Sequence, residues 1–391
     1  MTAKPSFNLL FPAELLNAST ECRLAYFEQV IVAHPNFDEL LADIFEKINP
    51  HSNRRIFLLV GATGTGKSAL LRKLVEKAIS EATNFGTASP EVVPAFAFRP
   101  EAPLRGVFKF EKLYEQALVC MNAPMIEASR DVLRVHTTPR DTVSRLLLES
   151  PARKDWGGLR TRCLNDLKDR HVRLWGVDEA KVLFMTGRSD TKEARKKAIE
   201  EMADRLKLLV EDVRTILLLS GGFDFYDLAS VTSQLARRCR VFYFQPYTAK
   251  TIAGFQQGFI GLLSHIPTHH LIEASDGAEF FGRCDGAIGR VRDVLMDALF
   301  KHLAKRAIFD MILVREFFWE AEQEDVMRSE SDAGDVHMQA VKANSEERAG
   351  SSRAKKGEKL SANPTKASVL MKPKKVGEAH PSHFKNESEQ W

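Results

Sequence analysis

Residues 54–74 read RRIFLLVGATGTGKSALLRKL: an apolar strand, then a glycine-rich loop, then a helix. Within it Gly61, Ala62, Thr63, Gly64, Thr65, Gly66, Lys67 and Ser68 fit G-x-x-x-x-G-K-[ST], a spacing whose backbone N–H groups turn inward around a chain of phosphates. Glycine is needed because such a loop visits positive φ and brings bare backbone against the ligand. Lys67 is placed to reach the β- and γ-phosphates, and Ser68 to put its hydroxyl on Mg²⁺. The dipole of the following helix favours an anion at the loop. That helix is legible in Ala69, Leu70, Leu74 and Ala78, which recur at helical spacing. The stretch therefore predicts a site for ATP with Mg²⁺.

The rest of the chain is large enough to build on this unit. Its 391 residues with 44% hydrophobic content predict one nucleotide-binding domain and a smaller helical one. No apolar run approaches the roughly 20 residues of a membrane span, and the first residues lack a basic stretch followed by an apolar block. A place inside the cell and away from membranes is the expectation. Cys22, Cys120, Cys163, Cys239 and Cys284 lie far apart with no C-x-x-C pair, which argues against a zinc site or a disulfide framework and for reduced, mostly buried thiols. A net charge of +4 is too small to imply nucleic acid by itself.

Taken in order, an arm (Met1 to Asn17) carries Phe7, Leu9, Leu10 and Phe11 for docking, and two helices follow: Ser19 to His34, and Asn36 to Ile48 with Asn36 as N-cap. After the loop helix, Glu91 to Phe98 reads as a second strand, and Pro94 points to the sheet edge. A loop with Arg105 and Lys109 then leads into a helix through Leu113, Ala117 and Leu118. Thr138 to Leu148 and Trp156 to Asp169 are two further helices.

The second informative stretch is HVRLWGVDEA, His171 to Ala180. A mostly apolar strand that ends in two acids suits Mg²⁺-nucleotide chemistry, with Asp178 helping to hold the metal and Glu179 orienting and deprotonating water. The competing reading is that the two acids cap the next helix. Thr191 to Glu211 is an amphipathic helix. Arg214 to Ser220 is a strand buried on both faces, since its Ile and Leu run is bounded by Gly221 and Gly222. Ser220, beside the acidic pair, can hydrogen-bond a γ-phosphate or its water. A helix from Phe225 to Leu235 ends near Arg237 and Arg238, ahead of a fifth strand, Arg240 to Phe244. The arginines also have a plain explanation in the helix C-terminus.

The order GATGTGKS, LWGVDEA, ILLLS, QLARRC, then a helical remainder with GAIGRVRDVL, resembles an AAA+ ATPase, and more narrowly the TniB/TnsC family of transposition regulators. The resemblance runs from about Phe27 to Lys305 and includes AHPNFDELL, FEKLYEQALVCMNAP and SQLARRCRVFYFQPYT. It implies an α/β P-loop NTPase core with a parallel five-stranded sheet in order 5-1-4-3-2 and a helical lid. The divisions expected are 1–50 for the arm and first helices, 51–247 for the core, 248–321 for the lid and 322–391 for a tail. It assigns the loop from Gly61 to Ala69 to Walker A, Asp178 and Glu179 to Walker B, and Ser220 to sensor 1. It makes Arg238, with Arg237 as fallback, the finger that reaches a neighbouring subunit's γ-phosphate, and places Gly289 and Arg290 in the sensor 2 region with Arg292 nearby. The sequence departs from the usual pattern at Ala180 and Lys181 and at Ser220-Gly221-Gly222, none of which removes a group essential to hydrolysis.

A finger that works between subunits implies a homo-oligomer. The resemblance adds rings or filaments on double-stranded DNA, a DDE-type transposase and a TniQ-type targeting protein as partners, and a DNA face made of Arg105, Lys109 and Arg140. From about Glu322 an acidic portion gives way to a basic one, and loss of apolar periodicity predicts a disordered tail whose removal leaves hydrolysis intact. His265, His269 and His270 suggest a metal site only superficially, because Pro267 breaks the helix that would align them. Three function classes follow: an ATP-dependent transposition regulator, another AAA+ machine such as a helicase loader, replication initiator or secretion-type ATPase, or a non-catalytic ATP-binding scaffold.

Overall fold

Five parallel strands form the centre: β1 (Ile56–Val60), β2 (Ala95–Phe98), β3 (Leu174–Val177), β4 (Ile216–Gly221) and β5 (Cys239–Tyr243), in the order β2-β3-β4-β1-β5. This is the expected 5-1-4-3-2 order of an AAA-type P-loop fold. The structure is a computed structural model that describes residues 9–49, 51–84, 92–103, 106–122, 156–185, 192–223, 237–336 and 338. All of these lie in one compact unit ending at Met338.

The continuous apolar runs of β1 and β4 are explained by cover on both faces. Alternate residues of β1 separate into two cores. Ile56, Leu58 and Val60 join Trp175 and Leu217 against helices α4 (Phe110–Asn122), α5 (Trp156–Asp169) and α6 (Lys192–Val213). Phe57 and Leu59 face the other way, onto α2 (Pro35–Glu46) and α3 (Lys67–Asn84) through Ile44, Leu71 and Leu74. The close approach of α3 needs Gly176, where a Cβ would lie 2.5 Å from Leu71.

A third core belongs to the helical part after β5: α7 (Ile252–Ser264), α8 (Gly277–Arg283), α9 (Ile288–Lys305) and α10 (Met311–Arg315). Helix α1 (Thr20–Gln29) inserts Phe27 into this core, so the segment before β1 is shared: α1 packs with the lid and α2 with the sheet. Helix α1 stops five residues short of the expected His34 because Val30, Ile31 and Val32 are β-branched and Pro35 restricts the residue before it. Its N-cap is Ser19, whose Oγ accepts from Cys22 N at 3.3 Å. Asn36 does not cap α2. Pro35 takes the first helical position, and the Asn36 side chain donates to Gln245 O at 3.2 Å. Strand β2 lies at the sheet edge, as Pro94 suggests, and starts only at Ala95. The Pro94 carbonyl accepts from Arg173 N at 2.8 Å instead.

The tail expectation is corrected at its start: residues 321–336, here α11, are helical. Their inward stripe is Glu324, Met327, Ser331 and Gly334, with Met338 buried beyond it, at helical spacing but nearly without aliphatic residues. Polar anchors replace apolar burial, among them Arg283 with Glu324 at 2.8 Å and Tyr243 with Asp335. Residues 339–391, including the basic portion, lie outside the described residues. No helix among the described residues is long and apolar enough to cross a membrane.

Candidate nucleotide site

Because β1, β4 and β3 are parallel neighbours, their carboxyl ends bring three sequence-distant elements to one edge. Strand β1 delivers Val60 into the loop, with Phe244 N donating to Val60 O at 2.8 Å. Gly64 and Gly66 adopt φ of +82° and +102°, the backbone the glycine spacing predicts. Buried Thr65 braces the turn through Oγ1 to Ala62 O at 3.0 Å, and Leu70 N to Gly66 O at 2.9 Å begins α3. The Lys67 ammonium is folded back, donating to Gly61 O at 2.9 Å and Ala62 O at 2.7 Å. Burial pulls its pKa below the usual lysine value, opposed first by Glu330 and then by Asp178 and Glu179. Ser68 is exposed at the first turn of α3 and Ala69 follows it.

Two strands away, about 10 Å at normal strand spacing, β3 ends in buried Asp178, whose N–H donates to Phe98 O at 2.8 Å. Glu179 is exposed and sits at φ +49°, a left-handed conformation that a bulky side chain rarely takes. It precedes a short 3-10 helix, Ala180–Phe184, with no side-chain cap bond, so the capping explanation does not account for it. Strand β4 runs between, and Ser220 pairs in register with Leu59. Its Oγ is buried with no hydrogen-bond partner among the described residues. A lone buried hydroxyl between the loop and two carboxylates leaves a hydrogen-bonding group that a phosphate or its water can satisfy. The residues present fit ATP with Mg²⁺, which the loop amides, Lys67, Ser68 and Asp178 would hold.

The helical part after β5 packs on the same loop. Gly289 packs so tightly that a Cβ would lie 2.3 Å from Gly64 O. Arg290, 2% exposed, donates from Nε to Thr63 O at 2.9 Å and pairs with Asp285 at 3.4 Å. Arg290 thus meets the loop, whereas Arg292 has its Nε buried without a hydrogen-bond partner among the described residues.

Arg238 lies at the opposite end of the sheet: its carbonyl accepts from Ile56 N at 3.1 Å, at the amino end of β1. One five-residue strand, about 16 Å, separates it from its own phosphate loop. There it pairs with Glu211 in a cleft of about 790 Å³ lined by Arg54, Arg55, Arg214, Arg237 and Arg240 as well. Six guanidiniums around one acid form a strongly positive pocket. Of the expected DNA contacts, Lys109 is exposed just before α4, and Arg105 and Arg140 lie outside the described residues. The histidines are a structural loop: buried His270 bonds Leu263 O at 3.2 Å, His265 bonds Tyr26, and no metal-holding cluster occurs among the described residues. Cysteines 120, 163, 239 and 284 are buried and Cys22 is exposed, all free.

The family comparison agrees with this geometry. Residues 49–228 match the AAA domain family. Among solved structures the chain is similar to the Walker-type ATPase PABY2304 of Pyrococcus abyssi, with 17% identity over 71% of each chain and a TM-score of 0.42. No curated protein matches the sequence. The AAA match spans the phosphate loop, Asp178, Glu179 and Ser220, and stops before Arg238 and Arg290. Sequence reasoning missed Glu330, which the structure brings to Thr63 from 267 residues away.

Proposed function

We propose that this AAA ATPase is a regulator of DNA transposition, which oligomerises on double-stranded DNA with ATP, engages a DDE-type transposase and a TniQ-type targeting protein, and is reset by hydrolysis. The observation that carries the ATPase part is the convergence of Lys67, Ser220, Asp178 and Glu179 at the carboxyl ends of three adjacent strands. The loop amides and Lys67 bind the phosphates, and Ser220 orients the γ-phosphate or the attacking water. Glu179 accepts the water's proton as oxygen attacks the γ-phosphorus and the bond to the ADP oxygen breaks. Ser68 and Asp178 would hold Mg²⁺, which would supply positive charge to offset the negative charge on the phosphates.

The arginine cleft supports the oligomeric part. Arg238 lies a strand's length from its own loop, so a phosphate it serves has to come from a neighbouring subunit. The transposition part rests on the motif order and on the flanking segments that resemble TniB/TnsC proteins. Electron microscopy with duplex DNA and a slowly hydrolysed ATP analogue, compared with ADP, tests the reading. DNA-bound rings or filaments only in the ATP-like state support it, and a salt-sensitive duplex affinity accompanies them. Binding to a helicase or to single strands in place of duplex would move the assignment to a loader.

A further inference from the structure

Helix α11 lies across the phosphate loop. From it Glu330 accepts from Thr63 Oγ1 at 3.3 Å and from Thr63 N at 3.5 Å. That amide is one of the loop groups that the glycine spacing offers to phosphate. Glu330 is also the carboxylate that acts most strongly on Lys67, ahead of Asp178 and Glu179. Meanwhile the Lys67 ammonium is spent on Gly61 O and Ala62 O. The Thr63 amide and hydroxyl and the Lys67 ammonium are therefore engaged from within the chain.

The helix is held from both sides. On the lid side, Arg283 pairs with Glu324 at 2.8 Å, and Arg290 Nη2 donates to Met327 O at 3.4 Å. On the sheet side, Tyr243 donates to Asp335, and Gly334 rests on the Phe223 ring, where a Cβ would lie 2.0 Å away. A loose acidic tail would have none of these anchors. A carboxylate and a triphosphate are both anions and compete for the same donors, so they cannot occupy the cradle together.

We propose that α11 is a built-in competitor of the nucleotide, with the Glu330 carboxylate standing where a phosphate binds, so that the helix must move off Thr63 for ATP to enter. This rests on reading Gly61–Ser68 as the nucleotide cradle. Because α11 is fastened to Arg283 and Arg290, its release also loosens the lid from the loop. Nucleotide affinity is then the intrinsic affinity reduced by the fraction of molecules with the strap open.

The test uses the full chain and a fluorescent ATP analogue followed by anisotropy, with Glu330→Gln, the exposed same-helix control Asp325→Asn, and Lys67→Ala. Hydrogen exchange of residues 321–336 in the wild-type protein, with and without ATP, is the second readout. The Glu330 contacts are long and partly exposed, so Glu330→Gln should bind roughly three- to tenfold more tightly. Asp325→Asn should match wild type, and ATP should speed exchange in 321–336. The proposal requires both results. Equal affinity of Glu330→Gln and wild type, or exchange unaltered by ATP, overturns it, while loss of binding in Lys67→Ala keeps the nucleotide reading intact. Absence of binding in every form overturns the nucleotide reading and the proposal with it. Should Glu330→Gln not fold, the wild-type exchange result decides alone.

Discussion

Gly64 is where loop and lid meet, and it allows the closest quantitative check of the structure. Replacing it with Ala puts a side chain at φ +82°, which costs about 1–2 kcal/mol for an L-residue in left-handed backbone. The new Cβ would also lie 2.4 Å from Arg290 Cγ. Arg290 is buried and tied to Thr63 O and Asp285, so it cannot swing away freely. Overpacking of this kind adds about 1–3 kcal/mol. Gly66→Ala is the natural control: φ is +102°, but the nearest atom to its Cβ is a Phe244 ring carbon at 3.6 Å, so only the backbone cost applies. Thermal unfolding of the full chain without nucleotide should therefore rank Gly64→Ala below Gly66→Ala. In an Arg290→Ala background the clash disappears, and the Gly64→Ala penalty should shrink by about 1–3 kcal/mol, the coupling read by a double-mutant cycle. Equal destabilisation at both glycines, or an unchanged penalty without the Arg290 side chain, would refute the docking of α9 on the loop.

Further outcomes follow from the same geometry. Lys67→Ala should abolish nucleotide binding measured by titration, because it removes the ammonium from a cradle built around it. Glu179→Gly should raise the unfolding midpoint, since glycine relieves a left-handed residue of about 1–2 kcal/mol of strain, while losing hydrolysis. His34, buried with its Nδ1 2.8 Å from Tyr247 Oη, has its pKa pushed down to about 4 by burial. Between that value and the usual 6.5 the unfolded chain binds a proton that the folded one refuses, so stability falls as pH falls, by at most about 1.4 kcal/mol per pH unit. His34→Gln should remove that part of the pH dependence in chemical denaturation, and an unaltered profile would show that His34 does not carry it. Thiol labelling of the native protein should be fast only at Cys22, because burial pushes the thiols of Cys120, Cys163 and Cys239 up to about 12.

The sheet was legible in the sequence because its signals are local. Unbroken apolar runs mark strands covered on both faces, and the glycines at 64 and 66 announce the positive φ that they adopt. The acidic pair and Ser220 were legible for the same reason, as each ends such a run. Helix ends were read less well: Asn36 is a good N-cap type, but Pro35 claims the first turn and Asn36 is drawn to Gln245 instead. Helix α11 was not legible at all. Its inward stripe is polar or small, and its partners Thr63, Tyr243 and Arg283 are distant in sequence, so composition alone reads it as tail. One consequence is that removing 322–391 is no longer expected to be neutral at the nucleotide site, whereas a cut after Met338 leaves α11 in place. The position of Arg238 follows from its place before β5, but its pairing with Glu211 and the surrounding arginines needed the fold.

The central claim is that Glu179 is the base of an ATPase whose phosphates sit on the Lys67 loop. Single-turnover hydrolysis of bound ATP by wild-type and Glu179→Gln protein, with nucleotide binding measured on the same samples, tests it most directly. Equal binding and a loss of roughly 10²–10⁴-fold in the hydrolysis rate are expected. Wild-type hydrolysis by Glu179→Gln would contradict it.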